Sequence, residues 1–269
     1  MERRRVAVTG VGAVSAAGVG VEALEAALLG PEQQRFAPPK RVELDIDVLV
    51  AEADAACFAS CTRARSASPT GALCLSAARE CSHRGGRKID GLSLGTSTGG
   101  QSRNEDAAFA LLGGLSPGEF SYRAAGCMAG PSRLVASDLG IAGPVQTVST
   151  ACTSSANAIA LAASWIRQGR CGAVLAGGGD ALCRTTISSF FALELTGPRM
   201  CAPFGLDRPG MTLGEGAAFL LLEPMDAVLA EGREPLAELL GAGMSSDAHH
   251  MTAPPEDGFG AFLAMSRAL

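Results

Sequence analysis

Apolar positions along the chain fall into short β-branched runs that end near glycine and longer Ala-rich stretches with helical spacing. The runs at 6–9, 145–149 and 173–176 predict buried strands. Residues 21–29, which Gly30 follows, and residues 154–168 carry apolar side chains three to four positions apart and predict helices. Strand, helix and strand in succession between 145 and 176 predict a βαβ unit.

Further elements follow from the same pattern. They are a strand from residue 89 that runs into a glycine turn by residue 100, Ala-rich helices within 47–86 with a break near Pro69, a helix at 129–139, and a strand at 217–222 with a helix from Pro224. Together these elements predict an α/β fold with at least one mostly parallel, buried sheet.

Composition narrows the class of protein. The 269 residues are 47% hydrophobic but only 4% aromatic, and 34 are glycine, so we expect an interior of small side chains at close backbone approach. A formal net charge of -5 gives no reason to expect a nucleic-acid partner.

The N-terminus resembles a secretory signal, but Gly10 and Gly12 interrupt its apolar run, which favours a strand and a turn. No run is long enough to predict a membrane span.

The nine cysteines are scattered along the chain and predict free thiols in a reducing, cytoplasmic compartment. Cys57 and Cys61 stand four apart, but no second pair or histidine lies at zinc-ligand spacing from them, so we expect no metal site.

Two glycine-rich stretches invite comparison with phosphate-binding loops. Gly10 and Gly12 follow a predicted strand, but Ser15 stands where a dinucleotide fingerprint has its third glycine, so we predict a tight strand-to-helix turn. The segment 177–180, Gly-Gly-Gly-Asp, lacks the Lys and Ser/Thr of a phosphate loop. It predicts close packing of a strand, or a turn near a site.

Cys152 stands between a predicted strand and a predicted helix, in a run of small hydroxyl residues. At such an elbow, backbone amides and the helix dipole favour thiolate over a thiol of ordinary pKa ~8.5. Buried cysteines that act as small hydrophobes are common, so the residues alone leave a reactive and a structural role equally open.

Five ordered segments carry a family resemblance: RRVAVTGVGAVSAAG, TACTSS, VLAGGGD, CAPFGLDRPGMTLGEGAAFLLLEP and GAGMSSDAHHMTAPPEDG. In this order they resemble a β-ketoacyl-acyl carrier protein synthase of fatty-acid or polyketide biosynthesis. The resemblance implies an α/β, thiolase-like layered fold. It implies an N-terminal domain at 1–235 and the start of an incomplete C-terminal half at 236–269, which we expect to leave an apolar face exposed.

The resemblance also implies roles. Cys152 matches the cysteine that takes an acyl chain from the carrier's pantetheine thioester before decarboxylative condensation with malonyl-carrier. Phe191 matches a substrate-binding Phe beside the acyl pocket. The implied partners are an acyl carrier protein and a second synthase chain in a homodimer or heterodimer. No cofactor is implied, because the substrates are carried on the phosphopantetheine of the carrier.

Several less specific matches to the family also fall within these segments. Asp207 and Glu215 match acidic positions that we expect to hold loop amides and an arginine, for which Arg208 is the candidate. Met128 and Met211 suit either an acyl tunnel or, by the more common role of methionine, ordinary core.

The family's two catalytic histidines, in His-Gly-Thr and Gly-His motifs, have no counterpart in the chain. Its only histidines are His83, His249 and His250, none in a matching motif. We therefore expect condensation to need residues from outside these 269. Two alternatives stay open: a catalytically silent, chain-length-factor-like partner subunit, and a cysteine hydrolase that uses His249 or His250 as its base.

Overall fold

The computed structural model describes residues 4–30, 36–59, 67–83, 87–114, 126–250 and 253–269. The strands in these ranges are β1 (Val6–Ser15), β2 (Gly18–Val19), β3 (Val50–Ala51), β4 (Gly91–Gly95), β5 (Val145–Val148), β6 (Val174–Asp180), β7 (Leu213–Gly214), β8 (Gly216–Pro224) and β9 (Ala237–Glu238). The helices are α1 (Val21–Leu29), α2 (Ala56–Ala59), α3 (Pro69–His83), α4 (Gln101–Leu112), α5 (Gly130–Asp138), α6 (Ser154–Arg167), α7 (Arg184–Ala192), α8 (Met225–Ala230) and α9 (Phe259–Ala268).

A seven-stranded mixed sheet forms the centre of the molecule, with strand order β2-β1-β8-β6-β4-β5 and β9 paired to β1. Within this sheet the parallel pairings are those of β4 with β5 on one side and β6 on the other, and a separate two-stranded sheet pairs β3 with β7 in parallel. The pairings of β1 and β8 are antiparallel, so the expectation of a mostly parallel sheet is wrong. That expectation was extended from one predicted βαβ unit. The structure confirms this unit itself, as β5-α6-β6.

Helices cover both faces of this sheet, and each face has its own apolar core. On one face, α3 and α5 pack over a cluster that includes Leu73, Leu92 and Phe219. On the other face, Trp165 and Ile166 of α6 pack against other residues of the same strands. Because small residues dominate both cores, helix and sheet approach closely, as the low aromatic content predicts.

The prediction of a tight turn at Gly10 and Gly12 is wrong. Both glycines lie inside β1, where Gly10 faces Leu221 and Gly12 faces Phe219 of β8. A Cβ atom at position 12 would lie 2.2 Å from the carbonyl oxygen of Ala77, so glycine is required here by the packing of α3 on the strand. The segment therefore has no phosphate-binding loop geometry.

The segment after residue 235 is joined to the central sheet. The backbone N–H groups of Leu236 and Leu239 donate to the carbonyls of Val8 and Val6, at 2.8 and 2.9 Å. Beyond β9 the chain runs to α9, which packs so closely on the preceding segment that a Cβ at Gly243 would meet the Ala264 carbonyl oxygen at 1.9 Å. The predicted domain boundary at 235/236 stays a prediction.

Candidate functional site

Cys152 lies at the elbow between β5 and α6, and it is exposed to solvent. β5 ends at Val148, and α6 begins at Ser154 with Thr153 as its N-cap. Cys152 therefore directly precedes the N-cap, close to the amide groups that carry the positive end of the helix dipole. This confirms the predicted elbow position, while the catalytic role of Cys152 stays a prediction.

Ala151, the residue before the thiol, has a left-handed backbone conformation with φ of 54°. Residues with a Cβ rarely adopt this region, because the Cβ crowds the following carbonyl. The Ala151 carbonyl oxygen accepts three hydrogen bonds, from Ser154 Oγ at 2.6 Å, Ser154 N at 3.0 Å and Ser97 Oγ at 3.1 Å. These donors hold the sharp turn directly before Cys152, which is exposed.

A second group of hydrogen bonds joins the start of α6 to Thr150. Ser154 Oγ accepts from the backbone N–H of Thr150 at 2.9 Å, and Thr153 Oγ1 donates to the Thr150 carbonyl at 2.8 Å. Asn157 Nδ2 donates to Thr150 Oγ1, also at 2.8 Å. The hydroxyl residues around Cys152 therefore build the turn, which explains why they surround the cysteine in the sequence.

Two glycines beneath α6 allow the elbow to pack directly against the backbone of the sheet. A Cβ at Gly95, the last residue of β4, would lie 2.3 Å from the carbonyl carbon of Ser154. A Cβ at Gly178 on β6 would lie 2.6 Å from Ser155 Oγ and 2.0 Å from the Gly95 carbonyl oxygen. The close packing predicted for residues 177–180 is therefore confirmed.

Asp180, the last residue of β6, organises the loop after β4 that runs beside the elbow. Its carboxylate accepts hydrogen bonds from Thr96 Oγ1 at 2.6 Å, Ser97 N at 2.8 Å, and Thr98 N and Oγ1 at 2.9 and 2.8 Å. Sequence reasoning missed Ser97 as a contact of the elbow. The signal that could have found it is that the carboxyl ends of adjacent parallel strands meet at one edge of a sheet.

Phe191 lies half-buried near the C-terminal end of α7. The first turn of α7 is anchored by Glu105 of α4, whose carboxylate accepts from the backbone N–H groups of Arg184 and Thr185 at 2.9 and 2.8 Å. No hydrogen bond or ring contact joins Phe191 to the elbow among the described residues, so its substrate-binding role stays a prediction.

Glu215 is a structural carboxylate, as expected. Its side chain is fully buried, and it accepts hydrogen bonds from the backbone N–H groups of Ala53 and Leu182, each at 2.9 Å. The arginine that pairs with it is Arg41. The expectation of Arg208 is wrong, because that side chain donates to the Gly205 carbonyl within its own exposed loop, where Asp207 is also exposed.

The three histidines are exposed and lie outside the elbow segment. His83 is the exposed last residue of α3, and His249 and His250 are exposed in the segment between β9 and α9. His250 Nδ1 accepts a hydrogen bond from the backbone N–H of Ala253 at 3.2 Å. Within the described ranges no histidine is hydrogen-bonded to Cys152, so the geometry gives no support to a cysteine–histidine hydrolase.

Met128 and Met211 are not core residues, since their exposed fractions are 39% and 43%. Met128 lies over Gly99, in the loop that Asp180 organises, where a Cβ would meet its sulfur at 3.0 Å. The more common structural role expected for these methionines is therefore wrong, and the tunnel role stays a prediction.

Other thiols differ from Cys152 in burial. Five described cysteines are buried: Cys57, Cys74, Cys81, Cys171 and Cys183. Burial raises the pKa of Cys74 far above its ordinary value, and the charge of Asp180 adds to the effect. Cys61 lies outside the described residues.

Over the part of the chain that the structure describes, no three metal-ligating side chains cluster together, and no helix has the length and apolar character needed to cross a bilayer.

A cavity of about 730 Å³ lies between α3, α4 and the segment around β3. Arg41, Phe58 and Arg103 are among the residues that line it, and none of its lining residues belongs to the elbow. The guanidinium of Arg41 stacks over Phe58 and pairs with Glu215, while Arg103 donates to the Ala67 carbonyl. The side chains of Arg41 and Arg103 are therefore engaged within the protein.

Comparison with solved structures supports the fold. The ishigamide ketosynthase/chain length factor superposes with a TM-score of 0.88 at 28% identity, and the match covers 99% of this chain and 70% of that chain. A ketosynthase in complex with its chain length factor, from Xenorhabdus doucetiae, gives a TM-score of 0.84 at 31% identity and covers 99% and 67%. These likenesses confirm the α/β, thiolase-like layered fold, of which this chain spans about two thirds.

Sequence comparison identifies the family. Nodulation protein E of Rhizobium meliloti (strain 1021) is 39% identical over 184 residues, which cover 65% of this chain and 45% of that protein. A 3-oxoacyl-(acyl-carrier-protein) synthase 2 of the same strain is 37% identical over 135 residues, or 47% of this chain and 32% of that protein. The chain thus spans less than half the length of these curated relatives. A family model described as "Beta-ketoacyl synthase, N-terminal domain" matches residues 3–227, and the chain belongs to this family.

Proposed function

We propose that this chain is the acyl-accepting part of a β-ketoacyl-acyl carrier protein synthase of fatty-acid or polyketide biosynthesis, with Cys152 as the nucleophile. The observation that carries the proposal is the exposed thiol at the strand-to-helix elbow, directly before the N-cap of α6. An amide-rich helix terminus favours the thiolate that thioester exchange requires.

In the first step the Cys152 thiolate attacks the carbonyl carbon of an acyl thioester on the carrier's phosphopantetheine. A carbon–sulfur bond forms, and a tetrahedral oxyanion collapses as the pantetheine sulfur leaves with the electron pair and takes up a proton. Backbone N–H groups at the elbow, that of Cys152 among them, are the donors we assign to this oxyanion. No cofactor takes part, because the carrier supplies the activated thioester.

The second step forms the new carbon–carbon bond. Malonyl-carrier loses carbon dioxide, and the resulting enolate carbon attacks the acyl-Cys152 carbonyl and releases the thiolate. The developing enolate needs hydrogen-bond donors, a role that two histidines play in the family. Since the three histidines of the chain match neither motif, we propose that residues outside this sequence supply these donors.

Partners follow from the same proposal. The solved relatives include a ketosynthase in complex with a chain length factor and a polyketide-synthase carrier protein in complex with its ketosynthase. We propose an acyl carrier protein and a second synthase chain as the partners, in a homodimer or heterodimer, in the cytoplasm. The edge strand β5, whose Val145 is 40% exposed, offers the second chain a row of backbone groups for pairing.

A second candidate function is a catalytically silent subunit of the chain-length-factor type. It is favoured by the chain length factors in the solved relatives. A free, exposed cysteine at a hydrogen-bonded elbow is the observation against it, because a silent subunit has no need to present a nucleophile.

Mass spectrometry of the intact protein separates the two functions. After incubation with an acyl-pantetheine thioester, the wild type and Cys127→Ala should each gain the mass of one acyl group, whereas Cys152→Ala should gain none. Cys127 is a matched control because its thiol is half-buried and lies outside the elbow. Absence of an adduct on a folded wild-type protein would favour the silent subunit.

A further inference from the structure

The Ser97 hydroxyl connects two elements that meet beside the thiol. The loop after β4 carries Ser97, and the elbow after β5 carries Ala151 and Cys152. We infer that Asp180 and Ser97 are positioning residues that hold the elbow in the conformation in which Cys152 is presented as a nucleophile. This inference rests on the proposed function for the reaction, but its geometry stands on the hydrogen bonds alone.

Asp180 is the fixed end of the connection. It closes β6, a strand that is hydrogen-bonded to β8 on one side and β4 on the other, so its backbone belongs to the middle of the sheet. Its two carboxylate oxygens accept from two backbone N–H groups and two hydroxyls of residues 96–98. An ionised carboxylate only accepts hydrogen bonds, so it suits a position that four donors face. The N–H₂ group of an asparagine at this position would face at least one of these donors.

Ser97 forms the other end of the connection. Its backbone N–H is held by Asp180, and its hydroxyl donates to the Ala151 carbonyl at 3.1 Å. The oxygen that it contacts belongs to the residue with φ of 54°, directly before Cys152. A non-glycine residue in this region is strained, and the Ser97 bond is one of the three that the Ala151 carbonyl accepts. Loss of the Ser97 bond should therefore weaken the hold on this conformation.

The Ser97 side chain is exposed, so its stabilising effect on the whole fold should be small. Ser154 has a different position, because it is buried and its hydroxyl both donates to Ala151 and accepts from Thr150. Removal of the Ser154 hydroxyl would disturb fold and elbow together. Ser97 is thus the position where elbow geometry can be changed without unfolding the protein.

The test measures alkylation of Cys152 by iodoacetamide as a function of pH, with the site read by peptide mass spectrometry, alongside thermal unfolding. In Ser97→Ala we expect the Cys152 rate to fall at every pH tested, because a relaxed elbow presents the thiol less openly to the reagent. The melting temperature should stay close to that of the wild type. Ser97→Thr, which keeps the hydroxyl, should restore the rate.

Asp180→Asn should show the same loss of rate, with some loss of stability because several hydrogen bonds change together. Ser164→Ala is the matched control: it removes a hydroxyl that accepts from Gln168 at the far end of α6, at 2.7 Å, and should alkylate like the wild type. If Asp180→Asn does not fold, Ser97→Ala still decides the matter.

Wild-type alkylation rate and pH profile in Ser97→Ala would overturn the inference, even if acyl transfer to Cys152 is observed. An equal loss of rate in Ser97→Thr would also overturn it, because the hydroxyl would then not be the cause. Failure of the proposed function is a separate result: it would appear as a wild-type protein that alkylates at Cys152 with the expected Ser97 dependence but takes up no acyl group.

Discussion

Gly95 lies directly under the first turn of α6, so that a Cβ on it would stand 2.3 Å from the carbonyl carbon of Ser154. No side chain fits into this space, and the helix that presents Cys152 rests on the bare backbone of β4. The close approach of α6 to the sheet therefore requires glycine at position 95, together with Gly178 on the neighbouring strand.

Gly95→Ala should force α6 away from the sheet. We expect the free energy of unfolding to fall by about 1–3 kcal/mol, the usual cost of overpacking, and Cys152 alkylation to slow because the elbow moves with the helix. Denaturant unfolding and alkylation kinetics measure the two effects. Gly197→Ala is the control, since a Cβ there has no neighbour within 4 Å. Equal stability of the two variants would contradict the close approach.

Glu215→Gln should destabilise the protein without direct effect on the elbow. The fully buried carboxylate holds two backbone N–H groups and Arg41, so the amide leaves at least one buried group without its partner. Such a loss costs about 1–3 kcal/mol, measurable by denaturant unfolding. Glu25→Gln, an exposed position on α1, should match the wild type. A Glu215 variant as stable as the wild type would rule out this structural role.

Buried thiols predict a loss of stability at alkaline pH. Burial raises the pKa of Cys74, Cys171 and Cys183 above the ordinary value of a thiol, so the folded chain keeps protons that the unfolded chain releases. The stabilisation is complete below the unfolded pKa and is lost as pH rises beyond it. Unfolding measured between about pH 8 and pH 10 should therefore become easier as pH rises.

Cys74→Ala provides the check on this pH effect. It should show a shallower fall in stability with rising pH than the wild type, while the two slopes should coincide below about pH 8. Identical slopes across the whole range would show that the Cys74 thiol does not contribute.

The edge strand β5 predicts where a second chain pairs. Val145→Lys places a charge on the exposed edge and should shift a dimer toward monomer in analytical ultracentrifugation, because edge charges block strand pairing. Val19→Lys is the matched control, since Val19 is 49% exposed on β2 at the other end of the strand order. An equal shift in both variants, or in neither, would place the dimer contact elsewhere.

Local signals in the sequence account for the elements on either side of Cys152. The helix predicted at 154–168 is found at Ser154–Arg167, and α1 has the predicted bounds, because apolar spacing and a following glycine act over a few residues. The elbow position of Cys152 follows from these local elements without knowledge of the whole sheet.

Contacts between distant segments account for what sequence reasoning missed. Gly10 and Gly12 look like a turn in isolation, but their place in β1 depends on pairing with β8, over 200 residues later. The pairing of Glu215 with Arg41 and the approach of Ser97 to Ala151 likewise join residues that no short-range pattern connects. The short strands β3 and β7, which pair with each other, were missed for the same reason.

The most direct test of the central claim is peptide mapping after reaction of the folded chain with an acylated carrier protein. We predict that the acyl mass appears on the peptide that contains Cys152, that hydroxylamine removes it as expected for a thioester, and that Cys201→Ala labels like the wild type. An adduct confined to other cysteines, or none on a protein shown to be folded, would contradict the assignment of Cys152 as the acyl acceptor.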